Sequence, residues 1–161
     1  MDLAMKGALV LLDESIKAIQ GAGETALRAI EPNAEVMIAN RIARDGNDAH
    51  VTLIQPPAVK AMVEAIAAKD GCSKNAARTT LLAQASVDLV PFVVNGVPIF
   101  EPSVLVPGNL SKVEKDGAVS YYVPVEWARG QAIRKLMGLP PFGFHVTVGF
   151  NPKDINDVAK M

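Results

Sequence analysis

Two short stretches carry the side chains best suited to chemistry, and they are near copies: Ala49-His50-Val51-Thr52-Leu53-Ile54 and Phe144-His145-Val146-Thr147-Val148-Gly149-Phe150. They hold the only two histidines of the chain. With five threonines in 161 residues, one falls two places after a given histidine by chance about 3% of the time, and both do so roughly once in a thousand. Imidazole titrates near neutrality, so two rings can divide a proton transfer, one removing a proton and the other donating it. A threonine hydroxyl donates a hydrogen bond to an oxygen on which negative charge builds. An acid, a base and two donors around a tetrahedral anion are what metal-free phosphodiester cleavage requires. On a strand, residues i and i+2 share a face. The spacing therefore predicts that His50 projects with Thr52, and His145 with Thr147, while Val51, Leu53, Val146 and Val148 turn the other way.

The elements that must position these residues are read from periodicity and turn chemistry. Met5, Leu9, Leu12, Ile16 and Ile19 recur at steps of three or four, which predicts a helix over 3–20, broken at Gly21-Ala22-Gly23 and followed by a short helix over 24–30. Residues 34–44 read as a strand, and Asp45-Gly46-Asn47-Asp48 as the turn joining it to the His50 strand in a hairpin. Pro56-Pro57 ends that strand and opens a helix over 57–69, stopped by Asp70-Gly71. Residues 73–85 read as a helix with Ser73 as its cap. Val87–Val94 and Val97–Phe100 read as a hairpin about Asn95-Gly96, with Pro91 and Pro98 confining it to a sheet edge. Strands over 104–106 and 118–125 are joined by a polar loop over 107–117. A helix over 126–137 stops at Gly138, the His145 strand follows, and residues 154–161 read as a fraying tail. Each half thus holds strands, a helix and one histidine strand, which suggests an α+β fold of two lobes facing each other.

Composition narrows the function classes. The net charge of −1 and pI of about 6.1, with no run of like charge, exclude a long electrostatic track for duplex DNA. Arg78, Lys112, Lys115, Arg129 and Arg134 supply a few local cations for a small anion or a strand end. The single Cys72 excludes an internal disulfide. Two histidines give only two ligands, and no cysteine or carboxylate cluster stands at metal-ligand spacing, so neither a metal nor another cofactor is expected. The apolar run Gly7–Leu12 is too short to span a bilayer and is closed by Asp13-Glu14. A soluble, cytoplasmic protein without membrane partners is the expectation. Tyr122 and Trp127 are aromatics that could stack on a base.

The paired His-x-Thr-hydrophobic stretches resemble the signature of the 2H phosphoesterases, which include bacterial RNA 2′,3′-cyclic phosphodiesterases once called 2′-5′ RNA ligases. The run from Tyr121 to Trp127, the helix from Gly130 to Gly138, Phe144–Phe150 and Asp154-Ile155 are similar to the "Swiss army knife" RNA-repair-like 2H domain. The likeness extends from about residue 34 to 158. It implies an α+β, bilobal fold, with two antiparallel sheets lining a central groove and helices packed outside. Residues 1–161 would form one such domain, with 1–33 as a helical extension packed on it. The implied activity is metal-independent hydrolysis of 2′,3′-cyclic phosphate RNA ends or related nucleotide phosphodiesters. His50 and His145 would be catalytic, and Thr52 and Thr147 would hold the phosphate. Two other readings stand beside it: a hydrolase of cyclic di- or oligonucleotide signals, of the viral anti-defence type, and a non-catalytic module that binds RNA ends. Which histidine is the base is open at this level.

Overall fold

The computed structural model describes residues 2–88, 92–100 and 104–161, without the side chains of residues 88, 92–94 and 97–100. Among the described residues five helices and nine strands combine in an α+β arrangement. Two compact units emerge: residues 1–11, 52–104 and 127–142 in the first, and residues 12–51, 105–126 and 143–161 in the second.

The first unit begins with strands, which corrects the helix expected over 3–20. β1 (Asp2–Lys6) and β2 (Ala8–Leu12) flank Gly7, whose φ of +73° suits a tight turn. Ala8, Leu9, Val10 and Leu11 are all buried. A helix would have turned part of that run to solvent, whereas a strand covered on both faces buries all of it. β3 (Val51–Ile54) completes a three-stranded sheet in the order β1-β2-β3. Helix α3 (Pro56–Asp70) starts at its prolines and ends at Gly71 in the left-handed region. Helix α4 (Lys74–Asp88) is capped as expected, the Ser73 hydroxyl accepting from the Ala76 amide at 3.1 Å. It buries Ala77, Leu81 and Ala85, one stripe at steps of four. It also runs through Val87, which the sequence suggested as the start of a strand. β4 (Phe92–Val94) and β5 (Val97–Phe100) do pair antiparallel about Asn95-Gly96; Pro91 of the expected edge lies outside the described residues. Helix α5 (Ala128–Leu136) closes this unit.

In the second unit, helix α1 (Glu14–Ile30) is capped by Asp13, whose carboxylate accepts from the Ser15 amide. It runs straight through Gly21-Ala22-Gly23. A β-carbon built on Gly23 would lie 2.6 Å from Val148 Cγ2, so that glycine is a close-approach point of helix to sheet and not a stop. Helix α2 (Ala34–Asp45) replaces the strand expected over 34–44. Its buried residues are Ala34, Met37, Ile38 and Arg41, positions i, i+3, i+4 and i+7. Val36 and Ile42, which suggested alternation, are exposed. With α2 helical, no hairpin joins it to β3.

The sheet of this unit centres on β8 (Ala118–Glu126). β7 (Ser111–Lys115), a strand inside the stretch expected to be a polar loop, pairs with residues 118–122, and β9 (His145–Asn151) with residues 119–124. Strands pairing with the same residues must take opposite edges, so β7 and β9 flank β8; β6 (Val106–Pro107) joins it at Val125 and Glu126. The pairing is antiparallel throughout. Leu27, Ala34, Met37, Ile38, Tyr121, Val123 and Val148 form the core between α1, α2 and this sheet.

Candidate active site

β9 carries an irregularity that decides which way its residues point. Tyr121 pairs with Gly149 but Tyr122 pairs with Thr147, so Val148 is an extra residue on β9. Such a bulge lets neighbouring positions break strict alternation. Val148 packs in the helix-side core, and a β-carbon on Gly149 would lie 2.9 Å from the Met37 backbone of α2. Thr147 and His145 take the other face with their cross-strand partners Tyr122 and Pro124. Thr147 is buried, and its carbonyl accepts a hydrogen bond from Gln20 Nε2 of α1 at 3.0 Å. The His145 ring meets Tyr122 edge-on, centroids 5.7 Å apart and planes at 72°.

The two histidines are held by the same local device. His145 Nδ1 lies 2.9 Å from the carbonyl oxygen of Gly143, and His50 Nδ1 lies 3.3 Å from that of Asp48. In each case the acceptor is two residues back along the chain. A neutral ring that donates from Nδ1 carries its lone pair on Nε2, so each backbone selects one tautomer. Both rings belong to the second unit, and the charge of His50 is felt at His145. His50 itself sits one residue ahead of β3 and not within it. Thr52 lies in β3, half-buried between fully buried Val51 and Leu53; it falls in the first unit.

Burial pushes the His145 pKa down from 6.5 to about 4; the Gly143 hydrogen bond and Asp154 oppose this, while Lys160 and His50 add to it. The ring is therefore neutral at pH 7, the state a proton acceptor needs. A stability effect follows. Between pH 6.5 and about 4 the unfolded imidazole is protonated while the folded one is not, so acid favours unfolding. The contribution is complete above 6.5, declines as pH falls toward 4, and changes no further below. Integrated at about 1.4 kcal/mol per unit, this amounts to about 3 kcal/mol. Urea unfolding of His145→Gln is expected to lose this slope; an unchanged slope would assign it to other groups.

The C-terminal segment, expected to fray, is instead tied to this face. Asp154 accepts from Ser120 Oγ at 2.6 Å, from Lys160 Nζ at 2.7 Å and from the Ile155 amide at 2.8 Å, and it pairs with Arg44. Burial alone would raise its pKa, but Lys160 and the hydrogen bonds outweigh burial and hold it at about 2. Lys160 is 4% exposed, with its ammonium 5.9 Å from the Tyr122 ring centroid. From sequence, Asp154 entered only as part of the Asp154-Ile155 pair of the resemblance, and Lys160 not at all. Asp154 stands three residues past the end of β9 and Lys160 six residues further on, and nothing local marks them as partners.

Other expectations are corrected. Tyr122 and Trp127 were possible stacking platforms, yet they are 4% and 1% exposed. Tyr122 packs against His145 and Trp127 is core, so neither offers a face to a base. Arg134 is buried, donating to the carbonyls of Leu53 at 2.7 Å and Pro140 at 2.9 Å; it braces the first unit's backbone instead of meeting phosphate. Lys112 and Lys115 are exposed and paired with Glu114 and Asp157. Among the described residues no three of His, Cys, Asp or Glu group as a metal's ligand set would, and no helix is long and apolar enough to cross a membrane.

Searches of curated proteins and of solved structures found no match. Residues 15–156, by contrast, match the family model described as Swiss Army Knife, 2H phosphoesterase domain. That span takes in both histidines, both threonines and the bulged strand between helix and site. With paired imidazoles held by one device and a family match over most of its length, the chain belongs to the Swiss Army Knife 2H phosphoesterases, and its function is of the phosphodiesterase type.

Proposed function

We propose that the protein hydrolyses 2′,3′-cyclic phosphates at RNA ends, or closely related nucleotide phosphodiesters, by metal-independent acid–base catalysis through its two His-x-Thr stretches. The observation that carries this reading is the shared tethering of His50 and His145, each by Nδ1 to the carbonyl two residues back. It leaves Nε2 of each ring as the atom that exchanges protons. His145, neutral at pH 7, takes a proton from the attacking water. That water adds to phosphorus, the bond from phosphorus to one ribose oxygen breaks, and His50 as imidazolium protonates the departing oxygen. The Thr147 and Thr52 hydroxyls donate to the phosphoryl oxygens as charge builds on them. In the reverse direction the two rings exchange roles. A bound phosphate anion favours the charged imidazole, raising His145 toward the range where proton transfer is efficient.

The test is a substrate panel: 2′,3′-cyclic mononucleotides, an RNA ending in a 2′,3′-cyclic phosphate, and 3′,5′-linked cyclic di- and trinucleotides, each with and without EDTA. Turnover of the 2′,3′-cyclic substrates that survives chelation is expected. Turnover confined to the cyclic oligonucleotides would shift the substrate class. Binding without turnover anywhere would make the protein a recognition module, and complete loss under EDTA would overturn the metal-free mechanism.

A further inference from the structure

Three observations converge on residues 152–161. First, Gly143, whose carbonyl tethers His145, is pressed by this segment: a β-carbon there would lie 2.6 Å from the Lys160 carbonyl oxygen and 3.0 Å from Met161 Cγ. No larger residue fits without moving the segment or the tether. Second, Lys160 is a buried cation with one carboxylate partner, Asp154, which Ser120 and Arg44 orient in turn. Third, the Lys160 ammonium stands over the Tyr122 ring, whose edge-on partner is His145. A buried ion pair usually adds little net stability and costs desolvation. This one lies behind the base of a phosphodiesterase, where a held positive charge disfavours premature protonation of the imidazole and favours an anionic substrate.

We infer that Asp154 and Lys160 are positioning residues of the active site, docking residues 152–161 onto Gly143 so that His145 keeps its tautomer, and holding a fixed cation behind the Tyr122–His145 pair for an anionic phosphodiester. The consequence for turnover rests on the phosphodiesterase reading, but the arrangement itself can be tested without substrate. Among the described residues, the charged and titratable groups facing His145 include Lys160 and Asp154 from the C-terminal segment, Tyr122 from β8 and His50 from the stretch before β3; Arg44 of α2 acts through Asp154.

The experiment follows the His145 ring resonances by NMR against pH in the wild type, Lys160→Met, Lys160→Arg and Asp154→Asn. Removing the ammonium is expected to raise the His145 pKa by roughly half a unit to one unit, and removing the carboxylate to lower it. Lys160→Arg, which keeps the charge, stays near the wild type. Opposite signs are the signature, because simple loosening of the segment would admit water and raise the value in both variants. Equal upward shifts in both, or no shift in either, would overturn the inference. For an active protein the acid limb of kcat/KM moves with the NMR value. If no phosphodiester is turned over, the titration still decides the positioning role, so the two failures are distinct.

Discussion

Replacing His145 or His50 by alanine is expected to lower kcat/KM for a 2′,3′-cyclic nucleotide by about 10²- to 10⁴-fold, with the fold retained. In the proposed mechanism the two rings serve one displacement, so the double variant should lose little more than the worse single one. His145→Ala removes the acceptor for the water proton. His50→Ala removes the donor to the departing oxygen, and a substrate with a better leaving group should recover part of that loss but none of the His145 loss. Full turnover by either single variant would remove that ring from the reaction.

The second large effect is on stability. Arg41 is 4% exposed; its guanidinium meets Glu24 of α1 at 2.7 Å and the carbonyl of Val148, the bulged residue of β9, at 2.8 Å. One side chain of α2 thus ties α1 and β9 together behind the site. Arg41→Met should destabilise the protein by about 2 kcal/mol, because it leaves the buried Val148 carbonyl without its donor and leaves Glu24 with only the more distant, exposed Arg28 beside it. Adding Glu24→Gln should restore part of the loss by removing a half-buried carboxylate that has lost its nearer partner. A urea midpoint within error of the wild type in Arg41→Met would show that water replaces the guanidinium.

The candidate site residues and the α+β class stand out in the sequence more clearly than the individual elements of the N-terminal half. His50, His145 and their threonines stand out by type and spacing, and turns such as Asn95-Gly96 and the Ser73 cap are written in single residues. The N-terminal half misled for physical reasons. Residues 8–11 form a buried strand, whose unbroken apolar run has no period to distinguish it from a helix. Residues 34–45 bury an arginine at a core position, so their helical stripe looks polar and their exposed valine and isoleucine mimic alternation. Gly23 reads as a breaker because a close approach to Val148 cannot be seen from one strand of text. The Asp154–Lys160 pair was hidden for a similar reason: charge is assumed to seek water until a fold shows it sealed in.

The carbonyl tether on each Nδ1 also constrains what happens between one turnover and the next. A ring fastened at one nitrogen cannot pass a proton through itself; whatever arrives at Nε2 must depart from Nε2. In the proposed mechanism each hydrolysis would leave the two imidazoles with their loads exchanged, His145 charged and His50 neutral, so the catalyst would be out of phase until bulk water restored it. Once product has left, a ring as reluctant to keep a proton as His145 would give it up readily to water.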